Sequence, residues 1–189
     1  MVNLSTLFTE ALDWHSGYWT ALRIVQQNSR GRIWVIGGFV YRSLAKQLYG
    51  TPMVNCDFDF MAEEVEPTLK LPAGWEQREN SHGNPKLVGP SGVIDVIPMN
   101  KMSYFLDQGI QPTIEAFLAR TPLTIGSIAY DTVDRRILGE VGETALYCKT
   151  VAVRHQEVAA RVAAVKGITV EDLVRQKAES LGFRPILTS

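Results

Sequence analysis

The chain has 189 residues, of which 46% are apolar and 21% charged, and its formal net charge is -1; these values suit a soluble globular domain with its own core. The near balance of charge excludes a global basic field of the kind that holds long nucleic acids, and two cysteines, Cys56 and Cys148, exclude a disulfide framework or a cysteine-ligated metal. No run approaches the roughly 20 apolar residues of a membrane span, and Met1 to Asp13 lacks a basic start followed by an apolar stretch. A reduced, cytoplasmic setting away from membranes is therefore expected.

From Leu4 to Gln27 apolar residues recur at roughly helical spacing, with Ser5 as a candidate cap and Gly17 marking a break or a second short helix. Ile33, Trp34, Val35 and Ile36 form a compact apolar run within a predicted buried strand, Arg32 to Ile36. Gly37-Gly38 ends it, and helical periodicity resumes from Phe39 to Tyr49. Between Asn55 and Met61, Cys56, Phe58 and Phe60 alternate with Asp57 and Asp59, the period-2 pattern of a strand. Trp75 to Arg78 and Lys86 to Val88 read as short strands joined through the turn-rich segment Asn80 to Asn84, and Val93 to Ile97 reads as a strong strand. A helix over Thr113 to Leu118 follows, then strands over Leu123 to Tyr130 and Arg136 to Leu138. Val141 to Leu181 is mostly helical, interrupted at Gly167, with Thr169 and Asp172 placed as a capping box. Trp14, Trp19 and Trp34 are expected in or near the core, and His15 is expected to pack or face solvent. The order of elements predicts an α/β (α+β) fold: a mixed sheet flanked by helices, with a small C-terminal helical annex.

Three segments carry chemistry. A strand running into Gly37-Gly38 before a helix permits close backbone approach and offers free N–H groups to phosphate, although glycine also serves such turns sterically. Asp57 and Asp59 lie two apart on a predicted strand and so share a face. Side-by-side carboxylates are unfavourable unless cations neutralise them, and Mg²⁺ typically takes one or two carboxylates plus substrate phosphates. On its own, Asp-x-Asp is more often a solvent-facing strand edge. Asp95, a single acid within Val93 to Ile97, needs a partner or a metal if buried. Glycine turn, Asp-x-Asp strand and later Asp strand stand in the order required by a two-metal phosphoryl-transfer site.

On these residues the chain resembles the nucleotidyltransferase superfamily, which includes DNA polymerase beta. The likeness is strongest to the head domain of CCA-adding enzymes and bacterial poly(A) polymerases. It covers roughly Arg32 to Thr144 and extends to His82-Gly83-Asn84-Pro85-Lys86-Leu87-Val88, similar to the family's glycine loop. It includes Arg120 to Tyr130, similar to the segment Arg-Arg-Asp-Phe-Thr-Ile-Asn-Ala-Leu-Ala-Tyr, and the hairpin through Ile137-Leu138-Gly139. The resemblance implies a head domain over residues 1–144 and an annex over 145–189. It implies transfer of a nucleoside monophosphate from a nucleoside triphosphate to an unidentified hydroxyl on a small molecule, a protein or an RNA end. Mg²⁺ or Mn²⁺ would be held by the catalytic Asp57, Asp59 and Asp95, and the nucleotide met by Gly37, Gly38, Arg42, His82 and Lys86.

The departures are specific. The stretch from Gly38 to Asp57 is longer than usual, and the family's Arg-Asp after the glycines falls on Tyr41 and Arg42. Pro122 replaces an acid and Gly126 an asparagine. Glu171-Asp172-Leu173-Val174-Arg175 matches the base-selecting Glu-Asp-x-x-Arg motif superficially, but capping and surface charge explain it more simply. The length leaves no room for the tRNA-holding body and tail of a full CCA-adding enzyme. An inactive nucleotide- or partner-binding module of the same fold is the alternative, and a phosphodiester-cleaving metal enzyme a third reading without support from the glycine turn.

Overall fold

A computed structural model describes residues 2–53, 57–80 and 82–187. Asn3 caps α1 (Leu4–Asp13), its Oδ1 accepting from the backbone N–H of Ser5 at 2.9 Å and of Thr6 at 3.3 Å. The cap is thus two residues earlier than the expected Ser5, whose hydroxyl instead accepts from the Ile137 N–H at 2.9 Å. Gly17 separates α1 from α2 (Tyr18–Gln27). A Cβ there would lie 2.4 Å from the Ser91 carbonyl, so this break is a place where two backbones touch.

The chain then runs through β1 (Ser29–Ile36), α3 (Gly38–Tyr49), β2 (Phe58–Val65), β3 (Glu76–Glu79), β4 (Pro85–Gly89) and β5 (Gly92–Pro98). A 3₁₀ turn over Met99–Lys101 leads to α4 (Ser103–Gln108) and α5 (Ile114–Leu118). Next come β6 (Ala129–Asp131), β7 (Arg136–Leu138), α6 (Glu140–Cys148), β8 (Thr150–Val151), α7 (Gln156–Lys166), α8 (Val170–Glu179) and β9 (Arg184–Pro185). The main sheet has the order β3-β4-β5-β2-β1-β6-β7, and β2 with β5 is its one parallel pair among the described residues. Strands β8 and β9 form a separate parallel pair.

Alternation along the strands builds two cores. Val35, Phe58, Phe60, Ile94, Val96 and Tyr130 face α1, α2 and α3 and join one large apolar cluster. Trp34, Ile36 and Met61 point to the opposite face and pack with Met99, Phe105, Ile114 and Leu118. Helix α6 crosses position 144, and Leu146, Leu173 and Val174 join the same cluster as Val35. Trp34 is buried, but Trp14 is 82% and Trp19 46% exposed, against expectation. Trp75 precedes β3 and lies over Gly89, where a Cβ would meet its ring at 2.2 Å.

The expected strand over Leu123 to Tyr130 is instead a 3₁₀ turn, Thr124–Gly126, followed by the short β6. Thr121 and Ser127 explain it: one hydroxyl donates to the other at 2.6 Å, and both lie within hydrogen-bond distance of the Leu118 carbonyl. Such local side-chain bonds offer the backbone an alternative to a ladder. The expected strand from Asn55 begins later, at Phe58; positions 54–56, including Cys56, lie outside the described residues.

Asp131 ends β6 fully buried, accepting from Trp34 Nε1 at 3.1 Å, Arg32 Nη1 at 2.7 Å and the N–H groups of Val133 and Asp134. Burial opposes its charge, but these donors outweigh burial and hold the carboxyl below its ordinary value. Asp131→Ala strands the Trp34 indole N–H and the N–H groups of Val133 and Asp134, leaves Arg32 only Asp134, and is expected to cost about 3 kcal/mol in urea unfolding. A loss under about 1 kcal/mol would show that the network is not holding β1 and β6 together.

Candidate functional site

Register builds the centre of the site. Ile36 pairs with Asp59, Asp59 with Asp95, and Asp95 with Lys86, so β1, β2, β5 and β4 present one lateral row. Cross-strand partners share a face, and this one is the face of Trp34, Ile36 and Met61. Asp95 is 9% exposed and receives Asn80 Nδ2 at 2.9 Å. Lys86 Nζ lies 3.4 Å from Asp95 Oδ2 and 3.0 Å from Asp57 Oδ2. Asp57 stands just before the ladder and is exposed, so it reaches the row through Lys86 rather than as a strand residue.

Charge is unbalanced here. Burial, then the charges of Asp95 and Asp57, push the Asp59 carboxyl up to about 7, with Lys86 alone pulling the other way. The hydrogen bond to Asp57, outweighing burial and joined by the charge of Asp95, holds Lys86 above its ordinary value. Three carboxylates are the donor chemistry of Mg²⁺ or Mn²⁺, and the repulsion that lifts Asp59 is what a divalent cation relieves. Among the described residues no three acids, histidines or cysteines are already grouped as a metal centre. Lys86 lies between Asp57 and Asp95.

Beside the row is the glycine turn. Gly37 has φ 70 and ψ -143, and a Cβ on it would lie 2.9 Å from Asp59 Oδ2. Gly38 opens α3, whose N-terminus has no side-chain cap, so its first-turn N–H groups point out beside Asp59. Glycine at position 37 therefore serves the backbone conformation and the close approach of the carboxylate together.

The other expected nucleotide residues are less converged. His82 is exposed, and its N–H donates to Asn80 Oδ1. Arg42 sits on the second turn of α3 with its Nη1 buried and without a partner, and it bonds to none of the three acids. Asn80, which the sequence reading passed over as a turn residue, both shapes the loop ahead of β4 and holds Asp95. Asp172 accepts from the Thr169 N–H and hydroxyl, so the Glu171 to Arg175 segment is used for capping. A cleft of about 470 Å³ opens beside Asp57, with Trp14, His15, Lys46 and Ser91 in its walls, and Asp59, Asp95 and Lys86 do not line it. Burial, then the Lys46 charge, holds His15 below its ordinary value, and its ring meets Phe39 edge-on at 4.8 Å. Arg120 stacks on Tyr104 at 3.5 Å, and Lys101 is exposed. No described helix is long and apolar enough to cross a membrane.

No protein-family model matches the sequence, and no curated protein matches it significantly. Solved structures do. A CCA-adding enzyme without ligand superposes over 99% of this chain with a TM-score of 0.60 at 17% identity. A CCA-adding enzyme with CTP covers 91% with a TM-score of 0.52 at 18% identity. The Thermotoga maritima CCA-adding enzyme bound to tRNA covers 91% with a TM-score of 0.52 at 17% identity. The chain spans 43%, 46% and 45% of those three chains. Its mixed sheet and flanking helices thus share the fold of these CCA-adding enzymes, over less than half of their length.

Proposed function

We propose that this chain is a metal-dependent nucleotidyltransferase, moving a nucleoside monophosphate from a nucleoside triphosphate to a hydroxyl acceptor with release of pyrophosphate. The observation that carries the reading is Asp59 paired in register with Asp95 directly beside the Gly37-Gly38 turn. Mg²⁺ or Mn²⁺ held by Asp57, Asp59 and Asp95 would supply charge neutralisation between the attacking and leaving oxygens. The first-turn N–H groups of α3 receive the β- and γ-phosphates, with Lys86, His82 and Arg42 as further positive or hydrogen-bonding groups. The acceptor oxygen attacks the α-phosphorus as the bond to the bridging oxygen breaks, and the acceptor proton passes to a carboxylate of the row. Asp95, held by Asn80, is the acid assigned to that step. The cleft beside Asp57 is the approach for the acceptor. CTP and ATP, bound by fold neighbours, are the first nucleotides to try. Residues 145–189 serve as an annex to the head.

One observation favours the alternative of a binding module without turnover: Lys86 already pairs with Asp57 and Asp95, two of the acids that would hold the metal. Calorimetric titration of ATP, GTP, CTP and UTP, each with Mg²⁺, decides between them when paired with pyrophosphate release. Metal-dependent binding that Asp57→Ala/Asp59→Ala abolishes is expected. Asp95→Ala is expected to lower turnover by about a thousandfold. Binding without any pyrophosphate release across a panel of small-molecule, protein and RNA acceptors would favour the module. No binding of any nucleotide by the folded protein would overturn the enzyme reading and leave a partner-binding module of the same fold.

A further inference from the structure

Lys177 lies on the last turn of α8, far from the acid row in sequence, yet it reaches the glycine turn. Its Nζ donates to Tyr41 Oη at 2.9 Å and sits 5.5 Å from the centre of that ring. Helical side chains lean toward the N-terminus of their own helix. Tyr41 follows this rule, and a Cβ on Gly38 would lie 3.7 Å from its hydroxyl. The ammonium is therefore one hydrogen bond away from the first turn of α3.

That is the positive end of the helix, where a cation is disfavoured and an anion welcome. Among the described residues Lys177 makes no ion pair, and it is half-buried. A role limited to complementing the C-terminus of α8 needs no contact with another helix's N-terminal turn. Asp59 stands on the other side of the turn, against Gly37. The turn is thus flanked by acids on one side and by a hydroxyl-aimed cation on the other, the polarity that a metal-bound polyphosphate tail requires.

We propose that Lys177, aimed by the Tyr41 hydroxyl, binds the terminal phosphates of the nucleoside triphosphate at the Gly37-Gly38 turn. The assignment rests on the nucleotidyltransferase reading and adds to it a residue from the C-terminal annex. It places on α8 the positive charge that position 41, a tyrosine, does not supply from α3.

The test is calorimetric titration of Mg²⁺ with inorganic tripolyphosphate, and of Mg²⁺ with ATP and CTP, into wild type, Lys177→Met, Lys177→Arg and Tyr41→Phe. A charge-assisted hydrogen bond predicts that Lys177→Met weakens tripolyphosphate and triphosphate binding by about 10- to 100-fold. Lys177→Arg should stay within about threefold of wild type, and Tyr41→Phe should fall between the two. Thermal midpoints should be unchanged, which a merely structural lysine would not combine with lost polyphosphate affinity. Unchanged binding by folded Lys177→Met, with wild type binding tightly, overturns the role of Lys177 and leaves the site standing. If Lys177→Met does not fold, unchanged binding by Tyr41→Phe overturns it instead. Wild type binding neither tripolyphosphate nor any of ATP, GTP, CTP and UTP overturns this inference and the functional reading together.

Discussion

Asp59→Asn is expected to make the protein more stable at pH 8 while removing its Mg²⁺-dependent nucleotide binding. The folded structure lifts the Asp59 carboxyl from 3.8 to about 7, through burial and then the charges of Asp95 and Asp57. A raised acid is favoured in its protonated form by folding. Its contribution is intact below about pH 4, where folded and unfolded chains are both protonated there. As pH rises from about 4 to about 7 the unfolded chain ionises first, and stability falls through that window, levelling above it. The fall is on the order of 4 kcal/mol at most, taking 1.36 kcal/mol for each unit between the two values. At pH 8 the ionised carboxylate carries the whole penalty, and the neutral amide carries none of it. A gain of about 1 to 3 kcal/mol is expected, which raises the melting midpoint by roughly 3 to 10 °C for a chain of this size. Mg²⁺ should stabilise wild type at pH 8 but hardly at pH 5.5, because protons compete for the same oxygens, and it should leave Asp59→Asn unmoved. A variant less stable than wild type at pH 8 would mean that Asp59 is held by favourable contacts, and that the row is structural.

The acids were legible in sequence because their chemistry is local: a period-2 alternation around Asp59 and an acid inside an apolar strand at Asp95. Their pairing is not local. Asp59 meets Asp95 through the one parallel contact between described strands of the main sheet, and the intervening hairpin of β3 and β4 brings Lys86 to the other side of Asp95. The turn at Gly37-Gly38 was visible as a strand ending in glycines, but the reason for Gly37 is the Asp59 oxygen against it, which only the register supplies. Lys177 was not legible at all, since an amphipathic helix with a basic last turn looks the same whether or not it touches Tyr41. Misreadings followed the same rule. Thr121 and Ser127 bond locally and turn an apolar run into a 3₁₀ turn, and Trp14 and Trp19 have the hydrophobicity of core residues yet lie beside open clefts.

Gly37→Ala is expected to damage fold and site together, and its neighbour supplies the control. At φ 70 and ψ -143 the backbone of Gly37 lies where L-residues essentially do not go, a cost of about 1 to 3 kcal/mol by itself. The added carbon would also stand 2.9 Å from Asp59 Oδ2. Asp59 is short and anchored in the ladder between β1 and β5, so it cannot swing clear as the end of a long side chain would. Together these predict a loss of about 3 kcal/mol in urea unfolding, and nucleotide binding reduced beyond measurement because both the turn and the carboxylate move. Gly38→Ala differs in each respect. Its φ is not positive, and its nearest obstacle is the Tyr41 hydroxyl at 3.7 Å, an ordinary contact. Within α3 the change should stabilise by about 0.5 to 1 kcal/mol. The methyl projects toward Tyr41 and Lys177, so triphosphate binding should weaken modestly. If the two variants behaved alike, the glycines would be a steric convenience of helix entry. A large split confirms that Gly37 is fitted to Asp59, and that acid row and phosphate turn form one site.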